Sequence, residues 1–273
     1  MLELLKLTLL LSKSMNIDAF RRIVGGRDAE LGEFPYVGRW AKVHVENNQK
    51  TFAQHCTCSF LSPTWAISAA HCIDEEAPGD SVIMYGYIVR GQKQNYTEVV
   101  QMFKHPAYVL AVTYDLVRHD IGLLKTRHVE LSGYGVLSAV DYTTMIGHEV
   151  FLPGYGNTNG TDVVNDATTV SKPLQVFKGM ISQCKEDDGH LFSMICVVAS
   201  CNHLSSVCGG DSGGPVIHAS GIVGVNSLSI VDCNSYKEFK NIHIHDLAKG
   251  SSSIVQAASS VVDWVSKVVR SNP

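Results

Sequence analysis

The 273-residue sequence lacks the features that mark several classes of protein. It carries no block of like charges and its formal net charge is only −4, so its composition predicts neither a nucleic-acid-binding surface nor electrostatic attachment to a membrane. No stretch approaches the ~18 apolar residues of a transmembrane helix, and internal repeats are absent. With 45 % hydrophobic and 18 % charged residues, the chain is expected to bury one large core or two small ones.

The eight cysteines are many for a reduced cytosolic protein, and there are no CxxC pairs with zinc-finger spacing that could hold a metal. The cysteine content therefore favours an oxidising compartment. The apolar run 7–11 is a weak secretory signal, because Lys6 interrupts the apolar stretch and Glu3 stands where positive charge is expected. We expect a secreted, extracellular protein; a misassigned start codon is the alternative explanation of this segment.

Beyond residue 22 the sequence consists of short apolar or alternating runs separated by Gly, Asn, Asp and Pro, which is typical of an all-β barrel or sandwich. The clearest runs are 36–40, 65–68, 81–87, 121–124, 150–152, 215–218 and 222–227. The tail differs, because apolar residues recur at helical spacing from Ile254 to Val268 and predict a helix docked on the core. Residues 131–145 are the predicted join between two halves.

The segment 208–215 places four glycines around Ser212. Glycines let the backbone approach a ligand closely and point adjacent N–H groups into a concavity, which is what the oxyanion of an acyl transfer requires. Ser212 is therefore a candidate nucleophile, and a glycine-rich turn that happens to contain serine is the plainer alternative. A serine hydroxyl is a poor nucleophile at its ordinary pKa, so a base must take its proton and a third group must orient that base.

His71 and Asp120 are the candidates for these two roles. His71 follows the run 65–70, which is typical of a buried strand, and Cys72 offers a disulfide anchor, so the imidazole would have a rigid support. Asp120 opens an apolar strand, where a buried carboxylate needs a donor such as an imidazole N–H. Asp115 competes for this role, but the polar residues after it favour a solvated loop.

Four motifs follow one another along the chain: Arg22-Ile23-Val24-Gly25-Gly26, Ser68-Ala69-Ala70-His71-Cys72, Asp120-Ile121-Gly122-Leu123-Leu124 and Gly209-Gly210-Asp211-Ser212-Gly213-Gly214-Pro215. In this combination and order, the sequence resembles the chymotrypsin/trypsin family of serine endopeptidases over about residues 23–273. The resemblance implies an all-β fold of two packed antiparallel six-stranded β-barrels with a C-terminal α-helix. The implied division is a signal and activation peptide (1–22) and a serine protease domain (23–273), with barrels at about 23–135 and 136–250 and the helix at about 252–270.

The resemblance also assigns catalytic roles position by position. It implies that Ser212 attacks the scissile carbonyl, that His71 acts as general base and then as general acid, and that Asp120 fixes the tautomer of His71. The backbone N–H groups of Gly210 and Ser212 would form the oxyanion hole. Ser227 matches the serine beside the buried aspartate. The implied enzyme hydrolyses peptide bonds through an acyl-enzyme and needs neither cofactor nor metal.

The same resemblance implies that the chain is a zymogen. Cleavage after Arg22 would free the amine of Ile23, which inserts and pairs with Asp211. An α-amino group has a pKa near ~8 and is mostly charged at neutral pH, and breaking one partner of a buried pair costs ~3–5 kcal/mol. We expect the full-length chain to be inactive until it is cut there; the alternative is that residues 21 and 22 form an ordinary basic dipeptide.

Six cysteines match the pairing of the family. The implied bridges are Cys56–Cys72, Cys184–Cys196 and Cys208–Cys233. Cys58 stands where the family usually has glycine, and Cys201 has no assigned partner. A fourth bridge between these two cysteines and two free thiols both remain open.

The specificity pocket follows from the same alignment. Ser206 lies at its base, so the acid that selects Lys or Arg is missing. Val207 adds bulk beside the base, and Ser229, which follows Ser227 and Leu228, stands where the family often has glycine. We expect a narrowed pocket that prefers small or medium apolar residues, as in chymotrypsin- or elastase-like enzymes. The preference should be graded, because one methylene discriminates by only ~1–3 kcal/mol.

Several further signals carry less weight. Asn95 and Asn159 begin acceptor tripeptides for glycosylation. His243 and His245 would share one strand face but lack a third clear ligand, so no metal site is expected. The expected partners are protein or peptide substrates, an activating protease and protein protease inhibitors, and the expected state is a monomer.

Two other classes of function compete with this interpretation. The glycine–serine–glycine pattern at 210–214 also matches the nucleophile elbow of an α/β-hydrolase esterase, with Asp232 and His243 or His245 downstream. That fold requires a parallel sheet with helices and would leave His71 unexplained. A non-catalytic protease-fold binding protein is the third possibility, against which the complete set of catalytic residue types argues.

Overall fold

The fold is described by a computed structural model, for residues 26–73, 78–86, 95–109, 118–156, 173–184, 194–199, 207–228 and 253–273. Within these ranges the chain forms thirteen β-strands and one α-helix. The strands pair with one another in antiparallel orientation. In this part of the chain, no helix is long and apolar enough to cross a membrane.

A first barrel follows the short strand β1 (Arg27–Asp28). Its strands are β2 (Val37–Glu46), β3 (Gln49–Ser62), β4 (Trp65–Ser68), β5 (Ser81–Tyr85), β6 (Asn95–Lys104) and β7 (Gly122–Thr126). They close in the order β2-β3-β4-β7-β6-β5. The β2–β3 hairpin turns at Asn47 and Asn48, whose φ angles of 50° and 62° suit a two-residue type I′ turn, a conformation that asparagine tolerates.

A second barrel is built from the later strands. These are β8 (Glu149–Gly154), β9 (Gln175–Ser182), β10 (Met194–Ala199), β11 (Pro215–His218), β12 (Gly221–Leu228) and β13 (Ser253–Ala257). They pair in the order β9-β10-β13-β12-β11-β8, and the pairing of β8 with β9 closes the ring. Val150, Phe177 and Ile195 belong to its buried core. β1 pairs with β9, so the first described residues are tied to the second barrel.

The C-terminal helix, α1, is shorter than we expected. It spans Val262–Ser271, whereas the sequence predicted a helix over about 252–270. The start of that segment is strand β13, all five residues of which are buried. A run that is buried on both faces carries no alternation of apolar and polar residues, so periodicity alone cannot separate it from a buried helix.

Helix α1 returns from the second barrel to the first. Its residues Val265 and Trp264 pack against the apolar core of the first barrel. At its end, the Nζ of Lys125 in β7 donates to the main-chain oxygen of Asn272 at 3.1 Å. A cation suits this position, because the last carbonyls of a helix carry partial negative charge.

The predicted fold class is confirmed, because both six-stranded antiparallel barrels and the C-terminal helix are present. The runs 65–68 and 215–218 coincide with β4 and β11. The predicted join at 131–145 lies between the end of β7 and the start of β8. Closing each sheet on itself leaves few unpaired strand edges.

Candidate active site

The described candidate residues lie on both barrels, near hydrogen bonds that join one barrel to the other. His71 and Asp120 flank strands of the first barrel, whereas Ser212 precedes β11 and Ser227 lies in β12 of the second. Hydrogen bonds join the halves at this point, among them the bond from the Ser227 hydroxyl to Asp120 and the bond from the backbone N–H of Thr57 in β3 to the carbonyl of Ser212. The site is therefore assembled by the packing of the barrels.

His71 has a rigid support. It lies in a single 3-10 turn, Ala70–Cys72, directly after the buried strand β4. The neighbouring Cys72 is held by a disulfide to Cys56 in β3. The side chain of His71 is 25 % exposed, so the ring can be reached from solvent although its backbone is fixed.

Asp120 is completely buried and accepts three hydrogen bonds. Its Oδ2 accepts from the His71 Nδ1 at 2.7 Å and from the Ser227 hydroxyl at 2.5 Å, and its Oδ1 accepts from the backbone N–H of His71 at 2.8 Å. Burial alone would raise the pKa of Asp120, but the bonds from His71 and Ser227 outweigh burial and lower that pKa. An ionised carboxylate can only accept, so the proton of a neutral His71 ring lies on Nδ1 and Nε2 is left with a free lone pair.

Ser212 lies in a glycine loop whose conformation other residues could not adopt. Gly210 and Gly213 have φ angles of +93° and +81°, in the left-handed region that favours glycine. A Cβ atom at Gly213 would overlap the Ser68 hydroxyl and the Thr57 carbonyl. The loop therefore rests directly on the first barrel, and the two glycines allow that approach.

The segments that carry His71 and Ser212 are tied to two consecutive residues of β3, Cys56 and Thr57. Cys56 is linked through its disulfide to Cys72, next to His71. Thr57, the following residue, donates its N–H to the carbonyl of Ser212 at 2.8 Å. Nothing in the sequence marks Thr57 except that it follows a cysteine of the predicted bridge, so its contacts become apparent only in the folded structure.

Asp211 is buried beside the glycine loop. Its Oδ1 accepts from the N–H of Gly156 at 2.7 Å and its Oδ2 from the N–H of Cys208 at 2.8 Å. Burial raises the pKa of Asp211 to about 7, although these two bonds act in the opposite direction. No side-chain cation within the described ranges forms an ion pair with it. Ile23 lies outside these ranges, as does Arg22.

The predicted disulfides Cys56–Cys72 and Cys184–Cys196 are present. Cys208 is also disulfide-bonded, and its expected partner Cys233 lies outside the described residues. Cys58 is a buried free thiol, which decides between the two alternatives left open for this cysteine. Cys201 lies outside the described residues.

The structure describes only part of the predicted specificity pocket. Val207 is buried and Leu228 is half-buried, whereas Ser227 turns its hydroxyl to Asp120. The pocket residues Ser206 and Ser229 lie outside the described residues. So do four other residues that the sequence singled out, namely Asp115, Asp232, His243 and His245.

Of the two predicted glycosylation acceptors, Asn95 begins β6 and is exposed. Asn159 lies outside the described residues.

One cluster has the composition of a metal site. Side-chain atoms of Cys56, His71 and Cys72 lie within 4.8 Å of one another. Both cysteine sulfurs are joined in a disulfide, so neither is a thiolate that could bind a metal ion. This cluster is therefore part of the support of His71.

A two-barrel fold with a histidine–aspartate pair between the barrels is that of the chymotrypsin-like serine proteases. The chain belongs to the trypsin family, because the family model described as Trypsin matches residues 23–245. It is similar to Trypsin-1 of Astacus astacus, with 32 % identity over 210 residues that cover 71 % of this chain and 81 % of that protein.

Two further relatives are similar over larger shares of this chain. Serine protease SP24D of Anopheles gambiae is 26 % identical over 219 residues, covering 78 % of this chain and 74 % of that protein. The venom peptide isomerase heavy chain of Agelenopsis aperta is 26 % identical over 268 residues, covering 90 % and 99 %. Family membership and fold together make the protein a serine endopeptidase, and they exclude the α/β-hydrolase alternative, which requires a parallel sheet.

Proposed function

We propose that the protein is a secreted zymogen whose activated form hydrolyses peptide bonds through Ser212, His71 and Asp120. The observation that carries this proposal is the pair of hydrogen bonds from His71 to the buried Asp120, at 2.7 and 2.8 Å. They leave the Nε2 of His71 free to accept a proton. Trypsin-family membership and the glycine loop around Ser212 support the same assignment.

In the proposed reaction, the Oγ of Ser212 bonds to the scissile carbonyl carbon while its proton passes to the Nε2 of His71. The carbonyl oxygen becomes an oxyanion, which the N–H groups of Gly210 and Ser212 stabilise. His71 then protonates the leaving amine as the C–N bond breaks. Water, deprotonated by His71, hydrolyses the acyl-enzyme in the same way and restores Ser212.

Activation is proposed to occur by cleavage after Arg22, in the activation segment 1–22. Asp211 is buried without a cation partner in the described part of the chain, and its raised pKa reflects the cost of keeping its charge there. The ammonium group of Ile23 would supply the missing positive charge. Because Asp211 follows Gly210 directly, that ion pair would also stabilise the conformation of the glycine loop.

The proposed specificity is for apolar residues of small or medium size. Ser206 stands where the family places an acid in enzymes that select Lys or Arg, and Val207, which is buried, would narrow the space beside it. Secretion is supported by the disulfides, since such bonds persist in oxidising compartments.

The decisive experiment labels the nucleophile. The chain is cut after Arg22, N-terminal sequencing verifies Ile23, and a serine-directed phosphonate is added before the adduct is mapped. We expect labelling of Ser212 in the cut wild type, and much slower labelling both in His71→Ala and in Arg22→Gln, which stays uncut. Labelling at another serine, equal labelling of His71→Ala, or equal labelling before and after the cut would contradict the proposal.

A peptide panel tests the proposed chemistry and specificity. We expect cleavage after apolar residues to be fastest, and fastest cleavage after Arg or Lys would refute the pocket assignment. Because one relative is named a peptide isomerase, product masses are measured as well. Hydrolysis adds one water to the summed mass of the products, whereas isomerisation leaves the mass of the peptide unchanged.

A further inference from the structure

Thr57 lies against the glycine loop and is completely buried in β3. Its hydroxyl donates to the carbonyl oxygen of Gly210 at 2.8 Å, and its backbone N–H donates to the carbonyl oxygen of Ser212 at 2.8 Å. Gly210 and Ser212 are the two residues whose own N–H groups form the proposed oxyanion hole. One threonine therefore holds the carbonyl groups of both proposed oxyanion donors.

The Thr57 hydroxyl also accepts the N–H of Tyr155 at 3.1 Å. Since an amide N–H only donates and a carbonyl oxygen only accepts, the hydroxyl proton must point at Gly210. The next N–H along the chain, that of Gly156, donates to Asp211 at 2.7 Å. These contacts close a ring that joins β3, the glycine loop and the end of β8, and its members are Thr57, Gly210, Asp211, Gly156 and Tyr155.

Gly210, whose carbonyl the Thr57 hydroxyl binds, belongs to a tight turn. The N–H of Asp211 donates to the carbonyl of Cys208 at 3.0 Å, and the φ of +93° at Gly210 is the one that a type II turn requires at its third residue. In this turn the N–H of Gly210 belongs to the central peptide. Gln54 adds a longer bond of 3.3 Å to the same carbonyl oxygen, so Thr57 provides the shorter of the two side-chain bonds.

We propose that Thr57 is a positioning residue of the oxyanion hole: its hydroxyl holds the carbonyl of Gly210 and so places the N–H of Gly210 where the oxyanion develops, while its backbone N–H holds the carbonyl of Ser212. This inference rests on the proposed triad and oxyanion hole. Thr57 contacts neither the substrate nor the reacting atoms and acts through the carbonyl groups that it binds. Such placement matters because oxyanion donors stabilise the transition state only at hydrogen-bonding distance from the oxygen.

Thr57→Val removes the hydroxyl and keeps the branched shape of the side chain. We expect kcat to fall about 10-fold with KM nearly unchanged, because a misplaced Gly210 N–H stabilises the transition state less and hardly changes the binding of the substrate. Thr57→Ser keeps the hydroxyl and is expected to recover most of the lost kcat. Thr126→Val is the matched control: the Thr126 hydroxyl is buried in β7 without a hydrogen-bond partner in the described chain, so kcat should not change.

A pair of inhibitors reports on the oxyanion hole directly. With a peptidyl aldehyde, the Oγ of Ser212 bonds to the aldehyde carbon, the hydroxyl proton passes to His71 and the carbonyl oxygen becomes an oxyanion. The matching peptidyl alcohol occupies the same pocket without reacting. We expect Thr57→Val to lower the affinity for the aldehyde about 10-fold and to leave the affinity for the alcohol unchanged. Equal weakening of both inhibitors, or equal losses in Thr57→Val and Thr57→Ser, would overturn the proposal.

Phosphonate labelling separates this proposal from the function on which it rests. If cut wild-type enzyme is not labelled at Ser212, the triad assignment fails and the role of Thr57 fails with it. If wild type is labelled and Thr57→Val keeps wild-type kcat and aldehyde affinity, only the role of Thr57 is wrong. Denaturant unfolding checks that each variant is folded. Should Thr57→Val not fold, Thr57→Ala is compared with Thr57→Ser in the same assays.

Discussion

His71 and Asp120 are joined by two hydrogen bonds, one from the imidazole ring and one from the backbone N–H of the same residue. Together they determine both where the ring lies and which nitrogen carries its proton. Asp120→Asn should destroy this relationship, because an amide nitrogen facing Nδ1 favours the tautomer with the proton on Nε2. We expect kcat to fall about 10⁴-fold with the fold intact, measured as steady-state hydrolysis by the activated enzyme.

Ser227→Ala tests the other donor to Asp120. Loss of the Ser227 hydroxyl leaves both hydrogen bonds between Asp120 and His71 in place. We therefore expect kcat to fall only a few-fold, which is the effect of losing one hydrogen bond worth about 1 kcal/mol. The two variants are compared at equal concentrations of folded protein. A loss in Ser227→Ala as large as that in Asp120→Asn would contradict the assigned roles.

Asp211 predicts a pH-dependent difference between the uncut and the cut chain. Burial raises its pKa from the usual 3.8 to about 7. In this window the folded chain binds more protons than the unfolded chain, so this group's contribution to the free energy of unfolding falls as pH rises from about 4 to about 7. The proposed pairing with the Ile23 ammonium in the cut chain would lower the pKa of Asp211, so we expect this fall to disappear after cleavage.

Denaturant unfolding midpoints at pH 5 and pH 8 measure this effect for both forms. Other titrating groups are common to the two forms and largely cancel in the difference between them. The uncut chain should lose more stability between the two pH values than the cut chain. The same loss in both forms would mean that Ile23 does not pair with Asp211.

Gly156→Ala should disturb Asp211 through contact alone. A Cβ atom at this position would overlap the carboxyl group of Asp211. We expect activity after cleavage to fall more than 100-fold, because the displaced carboxylate lies next to the glycine loop, and the free energy of unfolding to fall by about 1–3 kcal/mol. Gly79→Ala is the control, since a Cβ atom there meets nothing within 4 Å. Wild-type activity in Gly156→Ala would contradict the placement of Asp211.

Cys58 is expected to be chemically silent in the folded protein. It is fully buried, and burial raises the pKa of its thiol well above the usual range, so almost no thiolate is present. A thiol reagent should modify Cys58 only after unfolding, with the site identified by peptide mapping without reduction. A disulfide-linked peptide pair containing Cys58 and Cys201, or rapid modification of the native protein, would contradict this prediction.

The runs named from the sequence fall on seven of the thirteen strands in the described part of the chain, because short apolar runs between turn-forming residues are local patterns. The strand β4 and the turn that carries His71 follow from such a run and from the cysteine beside it. The pattern failed at Ser253–Ala257, which we expected to begin the helix. All five residues of that strand are buried, and burial on both faces removes the alternation that identifies a strand.

The sequence by itself determined which reactive groups the protein carries and in which order they occur, since each belongs to a short motif that can be recognised from neighbouring residues alone. Only the tertiary structure decided which atoms meet. Ser227 reaches Asp120 across 107 residues, and Thr57 reaches Gly210 across 153. Such contacts depend on how two closed barrels pack, and no local periodicity encodes that packing. For the same reason, the free state of Cys58 and the contacts of Thr57 become apparent only in the folded chain.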